Sequence, residues 1–262
     1  MPEGHTVHRI ANEFNELFGG KVLRVDSPQG RFTDARMLDG QRLKVASAVG
    51  KQMFLHFQDD LIIRIHLGIY GKWQFHKGLA PEVVGQVRVR FAVDGVTAEL
   101  RGPTVCEVID SKALAEVYDR LGPDPLNPDP NGREFERFAS KVKKSSTPIG
   151  LLLMNQEVIS GIGNVYRAEI LYRAKINPHT KGSDLKTRQI SELWADSVKL
   201  LSIGVLHGVM ITRDEFFDED PGKLERNWVY KREGQTCRKC RKKIVLEMAA
   251  GRKLYFCPGC QR

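Results

Sequence analysis

The chain has 262 residues, enough for two domains and a small third at about 150 residues per domain. Hydrophobic residues make up 41% and charged residues 28%, which excludes a mainly disordered chain. No run approaches the roughly 18 apolar residues of a membrane span, and a net charge of +9 points toward a polyanionic partner.

The chain starts Met1-Pro2-Glu3-Gly4-His5, without a basic segment and apolar core, so no secretory signal is expected and a cytosolic protein is. Over residues 6–18, Val7, Ile10, Phe14 and Leu17 fall on one helical face, and Gly19-Gly20 ends it. The pattern then changes to period two. Residues 22–25, 43–45, 53–57, 61–65, 87–91 and 105–108 read as short strands separated by Gly and Asp turns. Six or more short strands without intervening helices predict a β-sandwich. Cys106 lies in the last of them and reads as core.

Residues 122–132 carry four prolines and read as a domain linker. Helical periodicity follows over 135–142, 149–155 and 164–174. A longer helix places Ile190, Trp194, Val198, Leu201 and Val205 on one face, with Trp194 expected in the core. Between two of these helices lies Ser160-Gly161-Ile162-Gly163-Asn164-Val165-Tyr166. A Gly-X-Gly turn lets backbone amides approach a phosphate, and the next helix adds its positive dipole end. A plain helix connector reads the same way.

From Trp228 to Arg262 there are ten basic residues and two acidic ones, so this tail carries +8 and the rest of the chain +1. Inside it stand Cys237-x2-Cys240 and, sixteen residues on, Cys257-x2-Cys260. Two such turns complete a closed tetrahedral sulfur shell, which suits one structural Zn²⁺; two disulfides would require an oxidising compartment. Residues 244–246 and 253–256 read as two strands joined at Ala250-Gly251, giving a β-hairpin zinc finger with Arg252 at its tip. The expected division is therefore 1–121 sandwich, 122–227 helical domain and 228–262 finger.

Three motifs in this order resemble one family. Met1-Pro2-Glu3-Gly4, then Gly161-Ile162-Gly163-Asn164-Val165-Tyr166-Arg167-Ala168-Glu169, then Cys257-Pro258-Gly259-Cys260-Gln261 are similar to the formamidopyrimidine-DNA glycosylase/endonuclease VIII family. The resemblance implies an α+β multidomain fold: an N-terminal β-sandwich with a flanking helix, a helix–two-turn–helix domain and a zinc finger. It further implies a monomeric, cytoplasmic and nucleoid-associated bacterial enzyme of base excision repair acting on damaged DNA.

The implied nucleophile is Pro2, exposed once Met1 is removed. An ordinary α-amine has a pKa of about 7.7–8.0, against about 10.4 for lysine, so the terminus holds far more neutral amine near pH 7. Attack at deoxyribose C1′ yields an iminium and splits the reaction into easier steps. Glu3 matches the neighbouring acid/base, and Lys51 the turn lysine at the target nucleotide. Asn164 and Arg252 match the phosphate binders, and Glu169 the helix carboxylate placed near the active site and grouped with the DNA-binding residues. Ile69 and Tyr70 align with the loop that wedges into the duplex when a base is swung out, or else belong to the sandwich core. Arg101 falls where a second wedge is expected, although Glu99-Leu100-Arg101-Gly102-Pro103-Thr104 holds no Phe. That departure, with a short 218–231 segment, favours the endonuclease VIII branch and oxidised pyrimidines. Oxidised purines, lyase action alone and noncatalytic damage binding are the alternatives.

Overall fold

The computed structural model describes residues 2–78, 82–219, 222 and 225–262. The chain divides into two compact units, one ending at Arg120 and one running from Leu121 to Arg262. Among the described residues, no helix is long and apolar enough to cross a membrane.

The first unit opens with α1 (Gly4–Phe18), which buries Val7, Ile10, Ala11, Phe14 and Phe18. The three-to-four spacing of these residues gives the helix one apolar face. Phe14 is the hub of an aromatic cluster, with ring centres 4.6 Å from Trp73, 5.1 Å from Phe18 and 5.5 Å from Phe75. Each such side chain taken out of water contributes about 1.5–3 kcal/mol before ordering costs.

Two four-stranded antiparallel sheets follow. One has the order β1-β6-β7-β5, the other β2-β3-β4-β8. The strands are β1 (Arg24–Asp26), β2 (Val45–Val49), β3 (Gln52–His56), β4 (Ile62–His66), β5 (Lys72–Lys77), β6 (Val89–Val93), β7 (Val96–Arg101) and β8 (Val105–Ile109). A four-residue helix, α2 (Ala35–Leu38), interrupts the series, and α3 (Ser111–Arg120) closes the unit.

The first unit therefore carries two strands, β5 and β7, and two helices, α2 and α3, beyond those the sequence pattern predicts. The expected strand at 43–45 is displaced onto Val45–Val49. The cause is α1: Asn15 Nδ2 donates to the Ala46 carbonyl at 2.8 Å, and the Ala46 amide donates to Asn15 Oδ1 at 2.7 Å. The small side chains of Ala46, Ser47 and Ala48 let the helix approach. Cys106 is half-buried in β8, packed against the core rather than inside it.

The second unit begins with the proline-rich segment, which is pinned rather than loose. Both Asp129 carboxylate oxygens accept amides of α4 (Arg133–Lys143), from Glu134 at 3.1 Å and Phe135 at 3.0 Å. After it come α5 (Ile149–Leu152), α6 (Asn164–Arg173) and α7 (Thr187–His207). Trp194 is partly buried, 5.5 Å from the Phe138 ring.

The finger is the hairpin β9 (Val245–Ala249) and β10 (Arg252–Phe256), joined at Ala250-Gly251 as the sequence predicts. It shares a core with α6: Ala168 and Tyr172 pack with Trp228, Val229, Ile244 and Tyr255. Helical segment and finger thus form one compact unit.

Candidate active site and metal centre

Strand register brings several predicted site residues to one rim of the sandwich. Gly50 and Lys51 form the turn between β2 and β3, and Gln52 pairs with His66. His66 in turn pairs with Val105, the first residue of β8. Turn 50–51, the loop after His66 and the 102–104 turn before β8 therefore lie side by side.

The helix points the same way. Gly20 donates to the Leu43 carbonyl, while Asn15 binds Ala46. Stepping back along α1 thus runs with stepping forward along β2, and the Pro2–Glu3 end is directed toward the rim of Lys51. Pro2 is half-buried. Glu3 is buried and stands at the N-cap of α1 with extended backbone.

Ile69 and Tyr70 are 60% and 85% exposed, which removes the reading of these two as core. They cap a tight turn in which the Gly71 amide donates to the Leu67 carbonyl at 2.9 Å. A Cβ on Gly71 would lie 2.2 Å from the Leu67 carbonyl oxygen. One on Gly68, itself at φ +67°, would meet Thr104 Oγ1 at 1.9 Å. The exposed tip therefore rests on the neighbouring 102–104 turn at Gly68, and Gly71 closes the tip on its own Leu67 backbone.

His66 is a residue that the sequence motif contains but the sequence argument passes over. It stands beside Lys51 at the foot of the exposed turn. Burial first, then the positive charges of Lys51 and Arg64, hold its imidazole below the ordinary histidine pKa. A neutral ring at that place offers one donor and one acceptor. The signal was available in His66-Leu67-Gly68, where a histidine ends an apolar strand immediately before a glycine turn.

Arg101 sits differently from the exposed tip. Its guanidinium donates to Glu99 and to the Val84 carbonyl. Glu99 is completely buried and also takes Arg90, whose Nε donates to it at 3.0 Å. Arg101 is thereby engaged in fastening the outer face of its sheet.

In the second unit, Asn164 and Arg252 are brought together through Arg167. This arginine is almost completely buried in α6. It donates to Asn164 Oδ1, to the Lys253 carbonyl at 2.9 Å and to the Gly150 carbonyl at 3.4 Å. One guanidinium thus sets the spacing between the first residue of α6 and the hairpin residue following Arg252. Arg252 itself is exposed at the hairpin tip.

Glu169 has no exposed surface, so the sequence expectation of a DNA-contacting carboxylate is corrected by its surroundings. It accepts Thr212 Oγ1 at 2.5 Å and the amides of Trp228, Val229 and Tyr230 at 2.7, 2.8 and 2.8 Å. These bonds tie α6 to the segment leading into the finger. Glu169→Ala strands the three backbone amides at about 1–3 kcal/mol each, while the Thr212 hydroxyl keeps the Arg226 carbonyl at 3.0 Å. The expected result is a clearly lowered Tm and faster hydrogen exchange at 228–230, measured by calorimetry and mass spectrometry.

The basic tail is not all surface either. Arg232 is buried and donates to the Trp228 and Thr236 carbonyls.

The four tail cysteines place their sulfurs within 4.8 Å of one another. Cys237 and Cys260 Sγ are 3.8 Å apart, and Cys240 and Cys257 Sγ 3.3 Å. A tetrahedral shell with metal–sulfur bonds of about 2.3 Å needs sulfurs about 3.8 Å apart, so these residues fit a bound metal ion. A disulfide would require about 2.05 Å. Tyr172 Oη lies 3.3 Å from Cys237 Sγ. Gln261 closes the far side: Oε1 accepts the Cys257 amide at 2.8 Å, and Nε2 donates to the Ile176 carbonyl at 3.0 Å.

Both halves of this arrangement correspond to one class of DNA repair enzyme. Residues 1–115 match the formamidopyrimidine-DNA glycosylase N-terminal domain, and residues 121–215 match the formamidopyrimidine-DNA glycosylase H2TH domain. The chain is 42% identical over 270 residues to Endonuclease 8 1 of Mycobacterium tuberculosis, covering all of both chains. It is 30% identical to Endonuclease 8 of Pectobacterium carotovorum, again over both full lengths. Its fold is similar to that of a Lactococcus lactis Fpg mutant bound to DNA containing Fapy-dG, with a TM-score of 0.83, 24% identity and full coverage of both chains. The chain belongs to the formamidopyrimidine-DNA glycosylase family, whose members are DNA glycosylases with AP lyase activity.

Proposed function

We propose that this protein removes oxidised bases from DNA, with pyrimidines favoured, and then cleaves the strand at the resulting site. The reading is carried by the rim of the sandwich. There the end of α1 bearing Pro2 and Glu3 is directed toward Lys51, His66 and the exposed Ile69–Tyr70 tip.

The neutral Pro2 nitrogen attacks C1′, the N-glycosidic bond breaks, and its electron pair leaves with the base. Glu3 supplies the proton exchange and stabilises the cationic sugar. The Pro2 nitrogen gives up its proton, the C1′–O4′ bond opens as O4′ takes a proton from Glu3, and the resulting iminium acidifies C2′. Loss of that proton expels the 3′ phosphate, and a second elimination expels the 5′ phosphate, leaving a one-nucleotide gap bounded by phosphates.

Ile69 and Tyr70 fill the space left by the displaced nucleotide. Lys51 and His66 hold the backbone beside it, while Asn164 and Arg252 grip phosphates from the second unit. Arg101 stays on Glu99 and fastens its sheet, and Glu169 positions the finger. Zn²⁺ is the ion that suits a closed four-thiolate shell, and when bound it holds the hairpin folded. Preference for pyrimidines rests on the 102–104 turn without an aromatic residue and on the relatedness to the Endonuclease 8 proteins. A Lactococcus lactis Fpg has also been solved with DNA containing an oxidised pyrimidine.

A nicking panel tests the reading, using duplexes with thymine glycol, dihydrouracil, 8-oxoguanine or an abasic site, with borohydride added in parallel. The expected result is cleavage of the abasic and both pyrimidine substrates, slower cleavage of 8-oxoguanine, and a trapped covalent adduct. Cleavage of abasic DNA alone reduces the protein to a lyase. Binding with no adduct makes it a damage-binding protein.

A further inference from the structure

The chain turns between α5 and α6 through residues 153–163, and the Gln156 side chain lies inside that turn. Its Nε2 donates to the Met154 carbonyl at 3.1 Å and the Ile162 carbonyl at 3.0 Å, while Oε1 accepts the Gly161 amide at 3.1 Å. Both of its amide hydrogens are thereby used, and one of the two oxygen lone pairs. The backbone continues the stitch: the Gly122 amide donates to the Gln156 carbonyl at 2.8 Å, and the Ser160 amide to the Pro123 carbonyl at 2.9 Å. One side chain therefore joins both limbs of the turn that delivers Gly163 and Asn164 to the start of α6.

The segment it holds is expensive to order. Gly161 has φ +90°, and Gly163 is extended at the N-cap of α6 without a side-chain cap. Glycine loses more conformational freedom on being fixed than any other residue. A turn ordered before binding spares that loss when the ligand arrives.

We infer that Gln156 is a positioning residue for DNA-backbone binding, acting by fixing the 161–163 turn so that Asn164 meets a phosphate. This rests on the proposed function, in which Asn164 grips the DNA. It assigns Gln156 to binding and leaves the chemistry at Pro2 untouched. A side chain that serves folding alone would alter stability without weakening binding by the folded protein.

Gln156→Met keeps the size of the side chain and removes all three bonds. Gln156→Glu keeps the acceptor for Gly161 and loses both donors. Each full-length variant is compared with the parent for binding to a duplex carrying a tetrahydrofuran abasic analogue, over a range of salt, and for single-turnover cleavage of abasic DNA at saturation.

Gln156→Met is expected to raise Kd about tenfold, the loss of one hydrogen bond to a charged group. The slope of log K against log salt should stay near the parent value, because Asn164 carries no charge and neutralises no phosphate. The saturated cleavage rate should stay within about twofold, because only an interaction made in the transition state would lower it. Gln156→Glu should fall between the two and carries the test alone if Gln156→Met fails to fold. An unchanged Kd in the folded variants overturns the inference, and so does a lowered saturated rate with unchanged Kd. A parent protein that fails to bind the duplex at all instead overturns the proposed function.

Discussion

A protein extended ahead of Pro2 by an uncleavable tag forms no borohydride-trapped adduct and leaves thymine-glycol DNA intact. The same chain with Pro2 at its free terminus gives both products. The expectation follows from the chemistry of amines. A group of ordinary α-amine pKa, about 7.7–8.0, is roughly a tenth to a sixth neutral at pH 7, while a lysine near 10.4 is about 0.04% neutral. Placing an amide bond on the Pro2 nitrogen removes its basic electron pair altogether, and no lysine of normal pKa replaces it. Intact-mass measurement establishes which terminus each preparation carries. Cleavage at the parent rate by the extended chain would assign the chemistry to another group.

Removing the metal should have an effect of a different kind. Stripping it with a chelator, or making Cys237→Ser, is expected to unfold the hairpin and abolish specific DNA binding, with metal content and affinity falling together. Structural zinc sites in comparable peptides are worth about 10–16 kcal/mol, far more than so short a hairpin gains by burying Ile244, Leu254 and Tyr255. Arg252→Ala is the contrasting variant. It should keep one metal per chain and lose about one unit of salt slope, since on the proposed reading only a phosphate contact is removed. Elemental analysis beside binding titrations separates the two. Retention of full affinity by the metal-free protein would show that the hairpin stands without its ion.

The cysteine spacing and the α1 stripe were legible because each depends on residues close together in sequence. Ala250-Gly251 was legible for the same reason. What escaped depends on distant partners or on a masked period. In β7, Val96, Ala98 and Leu100 alternate as a strand should, but the opposite face holds Glu99, a carboxylate buried only because Arg90 and Arg101 neutralise it. Helix α3 buries Val117 fully and little else, too thin a stripe for helical periodicity. In α6 nine of ten residues are buried, so periodicity cannot tell Glu169 or Arg167 from its apolar neighbours. Their partners lie at Trp228 and Lys253, far along the chain. The N-terminal motif, by contrast, holds the two residues of the proposed chemistry, Pro2 and Glu3, side by side, and the strands explain which rim they approach.

The turn that carries Ile69 and Tyr70 separates scaffold from cargo. Its supports resist substitution, since a side chain at Gly71 would collide with the Leu67 carbonyl and one at Gly68, held at φ +67°, would displace the Thr104 hydroxyl. Its summit projects into solvent. Evolution, or an engineer, can therefore exchange the two summit residues as a cassette, while the sandwich beneath keeps its shape and its stability.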